Sequence, residues 1–378
     1  MKVPLCLPDI EADEINIVTD VLKSGWLAHG KYNDELELMF AKKIGVKHAI
    51  TMNSCTSALE ISLKASNIKG EVIIPSFTFV ATANAVINSD CIPVFCDVDL
   101  ETRNVTPESI SKCITKETKA IIVVHYAGQP CRMDEIKSLC DKHSLLLIED
   151  SAETIGAKWN GKQAGSFGIG CFSFFPTKNI TTAEGGMFTT NDRSLADRAR
   201  AIISHGIVKS DKKNKPWHRE ATYVGHNYRM PNPLAAIGVI QFKKLDYLNK
   251  KRKEIAKTYD LYFASKADYF KLPYVDKGAE HVYQMYTIQV TNEQYRDSLI
   301  EYLNFVEIGA SVHFDPPLHK QKLYGQYIKS NTNLTNTIAL SKTLISLPIY
   351  PSMTNEQVKW VLNSVQQWVD QIKLKEIK

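Results

Sequence analysis

Short apolar runs that alternate with segments of helical periodicity constrain the fold of this chain more than any other feature. The apolar runs are 72–74, 93–95, 120–124 and 145–148, and the helical segments between or before them are 57–66, 81–89 and 133–143. A continuous apolar run is typical of a strand that is buried on both faces, whereas a half-buried strand alternates. The repeated strand–helix–strand order therefore predicts an α/β fold with a mostly parallel sheet covered by helices.

The segments outside this region predict further helices and a second domain. Residues 9–24 have an amphipathic pattern with Asp9 as a candidate cap and Gly25 as a stop. A long helical pattern covers 233–264, after which strand and helix patterns mix. We therefore predict a large domain over 1–249, which includes the N-terminal segment, and a smaller α+β domain over 250–378.

Residues 207–220 contain few apolar groups and predict a long loop. A loop of this length in a compact enzyme is often a lid or an arm that contacts a partner chain, and disorder is the equal alternative.

Charge and cysteine usage limit the class of protein. The net charge of +5 is spread thinly apart from a cluster at 209–219, whereas a nucleic-acid-binding protein usually carries a denser basic stripe. The eight cysteines form no CxxC pair and no histidines cluster at zinc spacing, so we expect free thiols and no metal site. A signal-peptide core and a run of 18 apolar residues are both missing. These features predict a cytoplasmic protein without nucleic-acid or membrane partners.

Lys178 is the first candidate for chemistry. Residues 172–179 surround it with aromatic, apolar and small side chains. Burial would disfavour the ammonium form and free a nucleophilic amine that can attack an aldehyde. The alternative is a lysine whose stem packs while its amine reaches water. The neighbouring Glu184-Gly185-Gly186 favours the first interpretation, because adjacent glycines let a backbone approach a ligand closely.

Asp150 is the second candidate. The apolar run 145–148 ends at Ile148, and Glu149 and Asp150 come directly after it. Ligands of parallel α/β sheets bind beyond the carboxyl ends of the strands. A pyridine cofactor that withdraws electrons from a substrate carbon needs a carboxylate to keep its ring nitrogen protonated. A helix cap is the alternative role. The position of Asp150, 28 residues before Lys178, favours the cofactor interpretation.

Two further segments suit a flat, phosphorylated ligand. Residues 53–58 place small hydroxyl residues at the start of a helix, where backbone N–H groups form an anion site. An ordinary N-cap is the alternative there. Residues 75–79 place two phenylalanines at the carboxyl end of a strand, where one could stack on a flat ring. Core packing is the usual role of phenylalanine.

Together, these segments resemble the DegT/DnrJ/EryC1/StrS family of sugar aminotransferases, which use pyridoxal 5′-phosphate (PLP). The motifs that carry the resemblance are 24–30, 53–59, 75–84, 125–130, 149–156, 165–186, 205–206, 225–236, 312–319 and 344–350. The resemblance implies PLP fold type I, in which the large domain has a mostly parallel seven-stranded sheet flanked by helices.

The resemblance also implies a role for each matching residue. Lys178 would hold PLP as a Schiff base and act as general acid and base, and Asp150 would pair with the pyridine nitrogen. Phe79 would stack on the ring. Phosphate contacts would come from Cys55, Thr56, Ser57 and Ser173, and from Asn227 of the other subunit of a homodimer. Family members more often have Ser-Gly-Thr at the phosphate turn.

Glu153 departs from the glutamine or histidine that is commoner at its place in the family. A glutamate near the phenolate oxygen of PLP would be repulsive if it were ionised. The alternatives are that it is protonated, turned away or hydrogen-bonded elsewhere. A glutamate at this place resembles aminotransferases that act at C4 of a nucleotide-linked 4-keto-6-deoxy sugar, and an enzyme of the same family specific for C3 is the alternative. Relatives that dehydrate sugars have histidine in place of Lys178.

The implied reaction moves the amino group of glutamate through pyridoxamine 5′-phosphate to a keto sugar, with 2-oxoglutarate as the other product. Two other classes of protein remain open. A non-catalytic regulator could keep the fold, although its site would be expected to lose Lys178 or Asp150. A nucleotide-dependent oxidoreductase would need a GxGxxG turn after the first strand, where residues 54–57 instead read Ser-Cys-Thr-Ser.

Overall fold

The computed structural model describes residues 1–209, 217–328 and 333–376. The strands of its first half are β1 (His48–Met52), β2 (Glu71–Pro75), β3 (Ile92–Cys96), β4 (Thr118–Val124), β5 (Leu146–Asp150), β6 (Lys158–Trp159), β7 (Lys162–Gln163), β8 (Ile169–Ser173) and β9 (Gly186–Thr190). Seven of them form one sheet in the order β1-β9-β8-β5-β4-β2-β3. Only β9 runs against its neighbours within this sheet. The predicted α/β class with a mostly parallel seven-stranded sheet is confirmed.

Helices cover both faces of this sheet. They are α1 (Ala12–Ser24), α2 (Lys31–Ile44), α3 (Cys55–Ala65), α4 (Val80–Asn88), α5 (Pro107–Ser111), α6 (Met133–Lys142), α7 (Arg193–Ile202) and α8 (Asn232–Phe263), with a 3₁₀ turn at Tyr126–Gly128. The side chains of β2 show why the apolar runs are continuous. Val72 and Ile74 pack into a core with α3, α4 and α7, while Ile73 packs into another with α5 and α6. Both faces are buried, so no position along the strand favours a polar residue.

Helix α1 ends as predicted but begins later. Gly25 adopts the left-handed conformation that stops the helix, with φ of 72°. The prediction of Asp9 as the cap was wrong, because Glu11 is the capping residue and pairs reciprocally with Glu14. The reason is tertiary: Gln241 of α8 donates to the Glu14 carboxylate at 2.8 Å and fixes this first turn.

The segment predicted as a long loop contains parts of two short strands among its described residues. Strands β10 (Ile207–Lys209) and β11 (Arg219–Ala221) pair as an antiparallel ribbon. The prediction of a loop over all of 207–220 was therefore wrong for these residues, because β-branched and apolar side chains at 207–208 suit a short strand. The interpretations as lid, arm or disorder concern residues 210–216, which lie outside the described residues.

The C-terminal part builds a second core. Its elements are β12 (Phe270–Lys271), β13 (Ala279–Glu280), β14 (Tyr286–Val290), α9 (Glu293–Phe305), α10 (Thr335–Thr343), β15 (Leu344–Leu347) and α11 (Asn355–Glu376), with 3₁₀ turns at Ala264–Lys266, Leu318–Lys320 and Lys322–Tyr327. Strands β12, β14 and β15 form an antiparallel sheet. Between 1 and 376, none of the described helices is both long and apolar enough to cross a membrane.

Helix α8 connects the two cores. Leu245 and Leu248 pack with the helices of the large sheet, whereas Ile255 and Tyr259 pack into the C-terminal core. This change supports our proposal of a domain boundary at 249/250. Val3 nevertheless packs into the C-terminal core, so the first residues of the chain lie against the small domain.

Glu149, at the end of β5, anchors the turn that leads into β8. Its fully buried carboxylate accepts hydrogen bonds from the N–H groups of Gly165 (2.7 Å), Phe167 (2.7 Å) and Gly168 (2.8 Å). The imidazole of His125 lies 3.1 Å from the same carboxylate. Three backbone N–H groups and one imidazole thus converge on one side chain near the carboxyl end of β5.

We expect Glu149→Gln to destabilise the protein by about 2–3 kcal/mol. The NH₂ group of glutamine would replace one carboxylate oxygen and would face backbone N–H groups that then have no acceptor. Urea denaturation measures this. The control is Glu35→Gln on the surface, whose carboxylate lies 3.6 Å from the Lys243 amine and should contribute less than about 0.5 kcal/mol. Equal denaturation midpoints for the two variants would contradict the anchoring role.

Candidate active site

A cavity of about 450 Å³ opens at the carboxyl edge of the large sheet. Seven of the predicted site residues line it: Cys55, Thr56, Phe79, Asp150, Glu153, Ser173 and Lys178. They lie at the start of α3, at the start of α4, at the end of β5, in the turn after β5, at the end of β8 and in the loop before β9. Parallel strands end at the same edge of a sheet, so segments far apart in sequence converge here.

Asp150 is the buried acid of this cavity. Thr82 of α4 donates to Oδ2 at 2.9 Å, and the Ala152 N–H donates to Oδ1 at 3.2 Å. Burial raises the pKa of Asp150, and these hydrogen bonds oppose that effect. No helix begins after Asp150 within residues 151–157, so the alternative role as a helix cap does not apply.

The Lys178 amine lies in the cavity, 3.3 Å from Glu153 Oε1. Its side chain is 17% exposed, and the buried guanidinium of Arg252 donates to its carbonyl oxygen at 3.4 Å. The amine therefore contacts a carboxylate inside the cavity, in contrast to a lysine that extends into bulk water.

Glu153 is held by a second donor. The backbone N–H of Ala127 donates to Oε2 at 2.7 Å, while the amine of Lys178 occupies Oε1. Ala127 adopts a left-handed conformation with φ of 57°, which belongs to the 3₁₀ turn after β4. Of the arrangements open to a glutamate here, the structure shows the hydrogen-bonded one. Two donors offset the electrostatic cost of a carboxylate at this place.

The start of α3 is capped by a side chain and leaves backbone N–H groups that could bind an anion. The Ser54 hydroxyl caps the helix by accepting from the Ser57 N–H at 3.1 Å. The N–H groups of Cys55 and Thr56, in the first turn, have no acceptor within the helix. Gly186 allows β9 to pass closely, since a Cβ there would lie 2.4 Å from the Ser54 carbonyl carbon. Ser173 pairs with Gly186 across β8 and β9, next to this helix start.

The two phenylalanines after β2 have different surroundings. Phe77 is buried in the core and follows the alternative interpretation. Phe79 is 60% exposed and lines the cavity, with its ring centroid 6.3 Å from that of Phe314.

Asn227 is not part of this cavity within its own chain. It forms an isolated β-bridge with Ser204, and its side-chain oxygen accepts from Arg229. The contribution of Asn227 to the phosphate site of another subunit stays a prediction.

The sequence did not reveal several cavity residues. Thr82 carries no local signal for its contact with Asp150. His313 lies in the motif 312–319 of the family resemblance, but this resemblance gives it no chemical role. Its Nδ1 is 2.8 Å from the Ser346 hydroxyl. Burial lowers the pKa of His313, although the nearby charge of Glu153 opposes this effect. Cys6 brings the N-terminal segment into the cavity wall. Among the described parts of the chain, no three His, Cys, Asp or Glu side chains converge as metal ligands.

These groups fit PLP. The cavity offers an amine for an aldehyde, a buried carboxylate for a ring nitrogen, an exposed aromatic ring and a helix start for a phosphate. Asp150 is the most specific of these features, because a carboxylate buried in a cavity is stabilised by a cationic ligand.

Comparison with known proteins agrees with this fit. The spore coat polysaccharide biosynthesis protein SpsC of Bacillus subtilis is 36% identical over 97% of this chain and 97% of its own length. Helicobacter pylori PseC, an aminotransferase involved in the biosynthesis of pseudoaminic acid, superposes with a TM-score of 0.91 at 32% identity, over 97% of this chain and 99% of PseC.

A third relative has been solved with the cofactor. Spr1654 from Streptococcus pneumoniae in its PLP form superposes with a TM-score of 0.91 at 25% identity, over 98% of this chain and 100% of that protein. Its pyridoxamine phosphate form gives a TM-score of 0.92. The sequence model of the DegT/DnrJ/EryC1/StrS aminotransferase family matches residues 8–366. The chain therefore belongs to this family, whose members are PLP-dependent aminotransferases.

Proposed function

We propose that the protein transfers the amino group of glutamate to the keto group of a nucleoside-diphosphate-linked sugar. The product would be an amino sugar for a surface polysaccharide or glycoconjugate. The observation that carries this proposal is the convergence of Lys178, Asp150 and the start of α3 on one cavity. SpsC and PseC, which act in polysaccharide and pseudoaminic acid biosynthesis, support a sugar substrate.

We assign the residues that would hold the cofactor from their chemistry. Asp150 would bind the ring nitrogen, Phe79 the ring face, and the N–H groups at Cys55 and Thr56 the phosphate, together with the Ser173 hydroxyl. PLP, when bound, supplies an aldehyde that joins to amines and a ring that accepts electrons from the adjacent carbon.

Lys178 would carry the proton. Its Nζ would take the proton from the α-carbon of glutamate and, in the second half of the reaction, return a proton to the sugar carbon. Glu153 contacts this amine at 3.3 Å, and the Ala127 N–H holds Glu153 in place. Glu153 would therefore orient Nζ for both proton transfers. An amine on a flexible stem gains from such orientation, because misplacement lowers the rate of proton transfer.

A homodimer with shared active sites is part of the proposal. Asn227 would reach the phosphate of the partner molecule. Val224, three residues earlier, is 91% exposed, and Trp217 and Trp26 are also large exposed apolar side chains. Exposed apolar side chains that gather in one patch are typical of a protein interface, and we propose that these three residues belong to it. We place the enzyme in the cytoplasm, with small-molecule substrates and without nucleic-acid or membrane partners.

The alternatives are less well supported. A regulator without catalysis would have no need for both Lys178 and Asp150 in one cavity. Within the same family, amination at C3 is the alternative to C4 of a 4-keto-6-deoxy sugar, and Glu153 is our reason for favouring C4.

Lys178→Ala should lower turnover by at least about 10³-fold, because it removes the group that moves the proton and bonds to the aldehyde. Steady-state kinetics and the absorbance of the bound cofactor measure this. The control is Lys43→Ala, which removes a surface amine paired with Asp246 and should leave turnover unchanged. Normal turnover in Lys178→Ala would refute the assignment.

Asp150→Asn should affect activity and stability in opposite directions. Turnover should fall by about 10²-fold or more, because the ring nitrogen loses its ionic partner. In the PLP-free enzyme, burial raises the Asp150 pKa, so the folded state binds more protons than the unfolded state and stability falls as pH rises from 3.8 through the raised value. The asparagine variant should lack this loss.

Thermal unfolding of the PLP-free proteins between pH about 4 and 8 tests this sign. The wild type should lose stability relative to Asp150→Asn as the pH rises. If the wild type gained stability relative to the variant over this range, the claim that burial raises the Asp150 pKa in the PLP-free enzyme would be contradicted.

Incubation with glutamate and a panel of nucleotide-linked keto sugars tests the substrate. We expect a 4-amino-4,6-dideoxy sugar, identified by mass spectrometry and NMR, together with 2-oxoglutarate. A 3-amino product would contradict the C4 assignment, and the absence of amination across the panel would contradict a keto-sugar substrate.

A further inference from the structure

Cys55 lies between the two ends of the proposed cofactor site. Its backbone belongs to the helix start that would bind the phosphate, while its sulfur is 3.9 Å from Asp150 Oδ1. The side chain is buried and lines the cavity. Glycine, the commoner residue here in the family, would offer no such contact. The thiol is thus placed to act on the acid that would hold the ring nitrogen.

The thiol of Cys55 is in the form that can donate a hydrogen bond. Burial, and next the charge of Asp150, raise its pKa well above the ordinary value. A thiol at a helix start in contact with water would instead tend toward the thiolate. Here the protonated thiol faces the carboxylate as a weak, neutral donor.

The Ala152 N–H also donates to Oδ1, at 3.2 Å, and Cys55 is the side-chain donor to this oxygen among the described residues. The titratable groups that face it from each packed element are Cys55 on α3, Cys171 on β8, Glu153 after β5 and Lys178 before β9. Lys178 favours the ionised carboxylate and Glu153 opposes it. The Cys171 sulfur lies 3.2 Å from the Ser62 hydroxyl, which is its own partner. Thr82 donates to the other oxygen, Oδ2.

We propose that Cys55 is a positioning residue that keeps Asp150 ionised and oriented toward the ring nitrogen of PLP. The inference rests on the function proposed above. Thr82 then holds one carboxylate oxygen and Cys55 the other, so that both oxygens have a side-chain donor before the cofactor binds. The residue would act through Asp150, without itself taking part in the reaction.

The test is PLP binding to the cofactor-free enzyme as a function of pH, followed by absorbance. In Cys55→Ala, we expect the acid limb of PLP binding to move to higher pH by about 0.4 unit, the weak end of the range for one hydrogen bond. Below the limb, this corresponds to affinity lower by about 2–3-fold. Cys55→Ser keeps a donor and should show no upward movement of the limb.

Cys171→Ala is the matched control, because it truncates a buried thiol on the neighbouring strand and should reproduce the wild-type profile. The proposal is overturned if the Cys55→Ala and wild-type limbs coincide, or if Cys171→Ala shifts equally. If Cys55→Ala does not fold, an upward shift in Cys55→Ser overturns it instead. A wild type that binds PLP normally confines such a failure to Cys55, whereas a wild type that does not bind PLP at any pH refutes the proposed function as well.

Discussion

A buried carboxylate at the end of a buried strand is the constraint on which the rest of the site depends. Asp150 is the last residue of the central strand β5, and its carboxylate oxygens accept hydrogen bonds from a hydroxyl, one N–H group and a thiol among the described residues. Burial raises the pKa of Asp150, because the ionised carboxylate costs free energy when it is removed from bulk solvent. A cationic ring nitrogen would remove that cost. Binding and stability are thus linked at one residue.

The sheet supplies the position of this group, and a few close contacts supply its surroundings. Glu149 fixes the turn into β8, which carries Ser173. Gly186 lets β9 approach the start of α3 more closely than any side chain would allow. Arg252, on the helix that connects both cores, donates to the carbonyl of Lys178. Lys178 and Glu153 lie on loops, whereas Asp150 belongs to strand β5.

Much of this could be predicted from the sequence, because the signals are local. Continuous apolar runs predict strands buried on both faces, and Val72, Ile73 and Ile74 show that alternate residues do face two cores. The left-handed Gly25 ends α1 because the chain has no Cβ there. The family resemblance then supplied the roles of the residues that line the cavity.

What could not be predicted depends on distant partners. The cap of α1 moved from Asp9 to Glu11 because Gln241 holds Glu14. The contacts of Thr82 with Asp150, and of Ala127 with Glu153, join residues that are far apart in the chain and leave no periodic trace in it.

The central claim is that Lys178 bonds to a PLP aldehyde beside Asp150. Reduction of the PLP-loaded enzyme with borohydride, followed by peptide mass mapping, tests it most directly, since reduction makes the lysine–cofactor bond permanent. The account predicts a phosphopyridoxyl group on the peptide that contains Lys178. A modified lysine elsewhere, or an unmodified chain after loading, would contradict it.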